Sequence, residues 1–396
     1  MGTLAAVVTL GLVLAVVWSG RRDDPGGLGR SDVAVGTPAP RAVATDPGGP
    51  DVAAPAGCVV GGREVALGDA GCRVWQAAAP ADARWRAVAA SDDVVVATTS
   101  TGARGLATAD GAGRWTWDSP HQVDPSAPPV IAGDVVAIPL RLPGIGPLGG
   151  VAVLDLGSGA PRWTAASGPR PVRIAVDAAT NAVVSVSTGV VHTRELDTGA
   201  PRWQRHLPGL PVADVGLAGG HVIVHAGDAV VALGLDDGQE RWRVTRPDAI
   251  ALLGADDVVA LVAPDGVTGL DAASGATRWR LDRAGVRSVT PTGDGTRLVV
   301  ATADQLLPLD PATGDPDPSV DTPGPLGAVT AAGGRAVHVA TPGGLRRIDL
   351  AGSRATWMLL ERELPPDRYA ETSVDGATRL VAVLGRGDLA AFAPPG

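Results

Sequence analysis

Asp271-Ala272-Ala273-Ser274-Gly275-Ala276-Thr277-Arg278-Trp279 decides the fold, because the chain repeats it. Asp155-Leu156-Gly157-Ser158-Gly159-Ala160-Pro161-Arg162-Trp163 is the same tag. Working outward, tag tryptophans stand at Trp75, Trp115, Trp163, Trp203, Trp242, Trp279 and Trp357, with gaps of 40, 48, 40, 39, 37 and 78 residues. The last gap is a double period, and Pro318 occupies the place of the missing indole. Four residues before each of these positions stands a glycine, from Gly71 through Gly111, Gly159, Gly199, Gly238 and Gly275 to Gly314; only the last repeat departs, with Ser353 there. Aspartates precede the turns, and arginine directly precedes five of the tryptophans: Arg114, Arg162, Arg202, Arg241 and Arg278.

The tag reads as a hairpin. An apolar strand such as Val230-Val231-Ala232-Leu233 arrives, and Asp and Gly turn the chain tightly, because glycine takes positive φ without steric cost. The return strand carries Arg-Trp. Upstream of each tag a second turn precedes a Val-rich strand, as in Asp256-Asp257-Val258-Val259-Ala260-Leu261. Each period of about forty residues thus holds four short strands, the length of one propeller blade. The expected fold is all-β: an eight-bladed β-propeller of four-stranded antiparallel sheets, with seven blades as the runner-up. The C-terminal segments Arg379-Leu380-Val381-Ala382-Val383-Leu384 and Leu389-Ala390-Ala391-Phe392 read as second and third strands without a tag. They are expected to complete the blade begun by the N-terminal strand, which removes exposed sheet edges.

Three domains are expected: an anchor at residues 1–20, a linker at 21–55 and the propeller at 56–396. Residues 3–19, TLAAVVTLGLVLAVVWS, form a continuous apolar run at the short end of a transmembrane helix, with no Ala-x-Ala cleavage site after it. Trp18 fits the interfacial position that indole prefers. Arg21 and Arg22 follow the run, which by the positive-inside rule favours a cytoplasmic propeller. The Gly/Pro-rich linker and the pair Cys58 and Cys72 favour the extracytoplasmic side, and that placement is the expectation. The two cysteines flank a predicted hairpin, and an oxidising compartment allows a disulfide between them.

The tag Asp-x-x-[Ser/Thr]-Gly-x-x-x-Trp resembles the repeat of pyrroloquinoline-quinone-type (PQQ-like) propellers, over roughly residues 58–396. That family includes quinoprotein alcohol dehydrogenases and the propeller lipoprotein of outer-membrane protein assembly. The resemblance implies that the seven tag tryptophans pack between neighbouring blades. It is a statement about fold more than function, since the repeat is structural. The quinoprotein enzymes it includes add a vicinal-cysteine ring, a metal held by Glu, Asn and Asp, and a catalytic Asp. Here the cysteines are fourteen apart and Asn181 is the single asparagine, beside a predicted turn.

The rest of the sequence narrows function mainly by what it lacks. Lysine is absent, so neither a Schiff base nor a phosphate loop ending in Lys is available. The net charge is −9 and no basic block appears, so no nucleic-acid partner is expected. His221 and His225 are spaced like a helical metal pair, but on a predicted strand they stand about 13 Å apart, too far to share one zinc. The histidines read as surface or strand-end residues, and the turn aspartates as acceptors for backbone N–H groups. No catalytic residue, cofactor or metal site is expected. Two segments could carry a ligand. The long gap before Trp163 maps to an inserted loop at Arg141-Leu142-Pro143-Gly144-Ile145-Gly146-Pro147-Leu148-Gly149. Trp117 lies outside the tag pattern and, with His121 and Asp124, forms a tentative ligand face for a sugar or peptide. The expectation for function is a membrane-anchored, extracytoplasmic, non-catalytic scaffold whose rim and Arg-bearing hairpins meet an unknown protein partner at the cell envelope. A sensor of wall sugars or peptides is the alternative, and a quinone-dependent dehydrogenase a more distant one.

Overall fold

The computed structural model describes residues 59–60, 63–64 and, with short internal breaks, 72–393. The apolar run, the linker and Cys58 lie outside the described residues, as does the side chain of Cys72. Among the described residues no helix is long and apolar enough to cross a membrane.

The described strands form eight sheets of four or five strands, plus the short pair Val59–Val60 and Arg63–Glu64. Seven sheets follow one another along the chain and are numbered here in that order: sheet 1 (residues 87–118), sheet 2 (122–169), sheet 3 (173–206), sheet 4 (212–245), sheet 5 (251–282), sheet 6 (288–321) and sheet 7 (329–359). Sheet 8 takes three strands from the C-terminus, Tyr369–Val374, Ala377–Val383 and Leu389–Ala393, and its outer strand, Cys72–Ala77, from the N-terminal side. Cys72 pairs in register with Ala393 and Ala77 with Leu389, so the two ends of the domain share one antiparallel ladder. All pairings within the sheets are between antiparallel neighbours, which suits strands joined by two- to five-residue turns.

The first strands of successive sheets pack against one another: Ala87–Ala90 on Val130–Ala132, then Arg173–Asp177, Val212–Ala218, Ala251–Ala255, Ser288–Pro291 and Val329–Ala332, with Tyr369–Val374 returning to Ala87–Ala90. They are therefore the inner strands, and the Arg-Trp strands are the outer ones. The second and third strands are buried on both faces, as in Val222, Ile223 and Val224, which explains their continuous rather than alternating apolar pattern. Alternation decides which neighbour each residue meets. Val222 and Val224 cluster with Val184, Val186 and Val191 of sheet 3, whereas Ile223, Val230 and Ala232 cluster with Val259 and Leu261 of sheet 5.

Two irregular sheets have local causes. Sheet 2 takes the two ends of the inserted segment into strands, Val135–Leu142 and Leu148–Asp155, which pair through Leu142 and Leu148; residues 144–147 lie outside the described residues. Gln122–Val123 then adds a fifth strand beside the extension, opposite Leu140 and Arg141. Sheet 6, whose tag lost its Trp, has an outer strand of only two residues, Val320–Asp321. Pro316 and Pro318 cannot donate to the ladder there.

Candidate functional site

The tag residues form a repeated lock between sheets. In six repeats the indole Nε1–H of an outer strand donates to a carbonyl in the tag turn of the next sheet: Trp75 to Thr108, Trp115 to Leu156, Trp163 to Leu196, Trp203 to Leu235, Trp242 to Ala272 and Trp279 to Pro311. Each carbonyl lies three residues before a tag glycine, and the same indole covers that glycine. A Cβ built on Gly159 would lie 2.5 Å from Trp115 Cδ2, and one on Gly238 2.6 Å from Trp203 Cδ2. The glycine is held at positive φ by its own turn, in which Gly159 N–H donates to Asp155 O. Trp357 lies on Arg354–Leu359, its side chain outside the described residues.

Acidic residues stabilise the same turns. Asp155 accepts from Ser158 N–H and Oγ–H, and Asp271 from Ser274 in the same way. The tag arginines close these motifs rather than project from the rim. Arg278 bridges Asp257 and Asp271, Arg162 bridges Asp134, Asp155 and Asp197, Arg241 meets Asp237, and Arg202 donates to the carbonyls of Thr180 and Asn181. Hydrogen bonds from Arg278 and Ser274 bring the Asp271 carboxyl down to about 2. Four of the five tag arginines thus bond to turns of their own or neighbouring sheets while remaining partly exposed.

The tentative ligand face is also corrected. Trp117 is 7% exposed and packs in the cluster of Val94, Trp115, Val123 and Leu140, so its ring offers little surface to a sugar. Asp124, 2% exposed, takes an ion pair from Arg141 at 3.5 Å. His121 is half-buried in a turn, where its N–H donates to Ser119 Oγ. The Asp124–Arg141 pair ties the end of the fifth strand of sheet 2 to its extended hairpin. No cluster of three or more His, Cys, Asp or Glu that could hold a metal exists among the described residues.

What sequence reading missed lies on the inner halves of sheets 3 and 4. His225, expected at a surface or strand end, is 4% exposed, and neither ring nitrogen has a hydrogen-bond partner. It stands directly opposite Asp214, on the face of sheet 4 turned towards sheet 5. Burial raises the Asp214 carboxyl above its ordinary range, against the pull of the N–H groups of Val215 and Leu252 and the charges of Arg173 and His225. Burial likewise lowers His225, with Asp214 opposing. Arg173 begins the inner strand of sheet 3 opposite Val186, whose face looks at sheet 4, and its Nη1 is buried without a partner. A second polar seam joins sheets 2 and 3, where Ser185 and Ser187 are buried near His192, whose pKa falls to about 4 through burial and the charges of Arg194 and His206. The available signal was local: Arg173 and Asp214 stand on inner strands whose other residues are mostly apolar.

Two overlapping stretches, residues 147–279 and 263–395, match the family model described as outer membrane protein assembly factor BamB. The chain belongs to this PQQ-like repeat family. Its fold is shared with solved β-propellers. The crystal structure of BamB from Moraxella catarrhalis superposes with a TM-score of 0.55 at 16% identity, covering 82% of this chain and 97% of that one. The computationally designed Ika8 protein gives 0.61 at 16% identity, covering 78% and 96%. The C-terminal WD40 domain of Sif2 gives 0.62 at 9% identity, covering 84% and 100%. At these identities the likeness concerns the fold alone. No curated protein matches the chain.

Proposed function

We infer that this member of the BamB-like family is a non-catalytic protein-binding scaffold: an eight-bladed propeller held at the cell membrane by the apolar run at residues 3–19, with its blades on the extracytoplasmic side. The observation that carries the reading is the match of residues 147–395 to a family described by outer-membrane protein assembly. The eight sheets and the shared ladder of residues 72–77 with residues 389–393 support a closed ring of eight blades. A rigid ring suits a scaffold, because a preorganised surface loses little conformational entropy on binding.

Crosslinking in native membranes, followed by identification of the linked protein, tests the scaffold. A single partner recovered in stoichiometric amount is the expected result; a chain that purifies alone, together with quinone absorbance in its visible spectrum, refutes it. Protease added to cells stripped of their wall should cut the propeller domain, and protection until the membrane is lysed would place it in the cytoplasm instead. A sensor of wall sugars or peptides is the second reading. It is favoured by buried polar atoms without a hydrogen-bond partner, Arg173 Nη1 and both ring nitrogens of His225.

A further inference from the structure

Six joints between neighbouring sheets are closed at the outer edge by an indole, and the joint between sheets 6 and 7 is closed in another way. Pro318 stands where its indole would be, and Asp317 takes the place that Arg162 and Arg278 hold directly before their tryptophans. The charge at that place is reversed, and so is the charge it meets. Asp317 Oδ2 accepts from Arg297 Nε of its own sheet at 2.8 Å and from Arg335 Nη2 of sheet 7 at 2.8 Å. The backbone carbonyl of Arg335 accepts from Leu350 N–H at 3.0 Å. One residue thus holds the tag turn of sheet 7 and reaches across to sheet 6. The inner edge of the joint is pinned without charge: Thr290 Oγ1–H, on the inner strand of sheet 6, donates to the Val329 carbonyl of sheet 7 in a buried bond of 2.8 Å. Between the two edges the core is aliphatic, with Val320 and Leu326 of sheet 6 and its exit loop against Ile348 and Leu350 of sheet 7.

We propose that Asp317, Arg297 and Arg335 form an ionic latch, and that the joint between sheets 6 and 7 opens at its outer edge, hinged on its inner strands, when salt screens the latch. An indole closes a joint by burying its ring and by donating to a carbonyl, and neither contribution depends on a net charge. Ion pairs between partly exposed groups do depend on it, and they weaken as salt rises. The side chains of Arg297, Asp317 and Arg335 are 23%, 31% and 41% exposed, so dissolved ions reach all three. Arg297 belongs to the same sheet as Asp317 and has a second carboxylate, Asp310, at 3.8 Å. Arg335 is the arm of the latch that comes from sheet 7, and it is the arm that parts. The Thr290–Val329 bond lies in the buried inner edge, where salt screens little, so the sheets separate from the outside inwards. Opening uncovers Leu350 and its amide, which the closed joint keeps from water.

Hydrogen exchange of the full-length chain, read by mass spectrometry at about 0.01 M and about 1 M sodium chloride, tests this. Peptides that carry the amides of Asp317 and Leu350 should exchange about two- to fivefold faster at high salt, the range that exposed ion pairs give. The joint between sheets 4 and 5 is the reference. There Trp242 donates to the Ala272 carbonyl, and Ala272 N–H makes the matching bond to Asp257 O at 2.9 Å. Exchange at Ala272 should not change with salt. Arg335→Gln keeps the backbone carbonyl and removes the arm that crosses the joint. In that variant exchange at Leu350 should be as fast at low salt as in the unaltered chain at high salt, and should no longer respond to salt. Should Arg335→Gln fail to fold, the comparison of the two joints in the unaltered chain decides alone. An equal salt response at both joints, no response between sheets 6 and 7, or a response that survives in Arg335→Gln overturns the latch.

Discussion

Replacing Gly159 by alanine isolates the lock that sets one sheet against the next. Gly159 has φ +70°, and the new Cβ would stand 2.5 Å from Cδ2 and Cε3 of Trp115 and 2.9 Å from its Cγ. Gly220 is the control, with φ +74° and nothing within 4 Å of a built Cβ. Both alanines incur the left-handed backbone cost of about 1–2 kcal/mol, partly offset by roughly 0.4–1 kcal/mol from the stiffer unfolded chain. Gly220→Ala should therefore cost about 1 kcal/mol. Gly159→Ala must also displace an indole that donates to Leu156 O at 2.8 Å. Overpacking of this kind adds about 1–3 kcal/mol, so the two variants should differ by that amount. Urea unfolding of the full-length chain, followed by tryptophan fluorescence, measures both. In a Trp115→Ala background the penalty at Gly159 should fall to that at Gly220, because the clash has been removed. Equal costs for the two glycines, or a Gly159 cost unchanged without the indole, would refute the inter-sheet lock.

Three further outcomes follow from particular contacts. Trp115→Phe keeps a ring in place but strands the buried carbonyl of Leu156; it should lower stability by about 1–3 kcal/mol in the same urea assay. His192 is depressed to about 4 from an ordinary 6.5. Because the folded state holds it neutral, its contribution is complete above pH 6.5 and is lost as pH falls towards 4. The linkage amounts to about 2 kcal/mol between pH 7 and 5. His192→Gln should flatten the stability profile over that interval by this amount, and profiles that stay parallel would contradict the assignment. Arg278→Ala should raise the Asp271 titration midpoint from about 2, yet leave it below the ordinary carboxyl range because Ser274 still donates. Carboxyl-carbon NMR reads that midpoint directly.

The positions of the inter-sheet locks were legible because they are local and repeated. A glycine and an indole four residues apart fit a tight turn followed by an outward strand, and six such tryptophans, with Trp357 as a seventh that lacks the glycine, fix the sheets they punctuate. Asp271, Ser274 and Gly275 settle their turn within five residues of chain, so no distant contact was needed to read it. Trp117 was misread for the opposite reason: its burial depends on Val123 and Leu140 in the next sheet, which nothing near it in sequence announces. The inserted segment was visible as extra length, but only the pairing of Arg141 with Gly149 and of Leu142 with Leu148 turns its two ends into strand. Likewise the sequence did not show that Arg162 and Arg278 reach Asp134 and Asp257, which a different turn brings in.

By itself, then, the sequence determined the class of the fold, the repeat and the chemistry it excludes, because hydrophobic period and turn stereochemistry act over a few residues. Tertiary structure alone decided which polar side chains are spent and which are left over. Arg173 turns from sheet 3 towards sheet 4, whereas Asp214 and His225 turn from sheet 4 towards sheet 5, and only the stacking of one sheet on the next takes from His225 the water that a strand-end imidazole would keep.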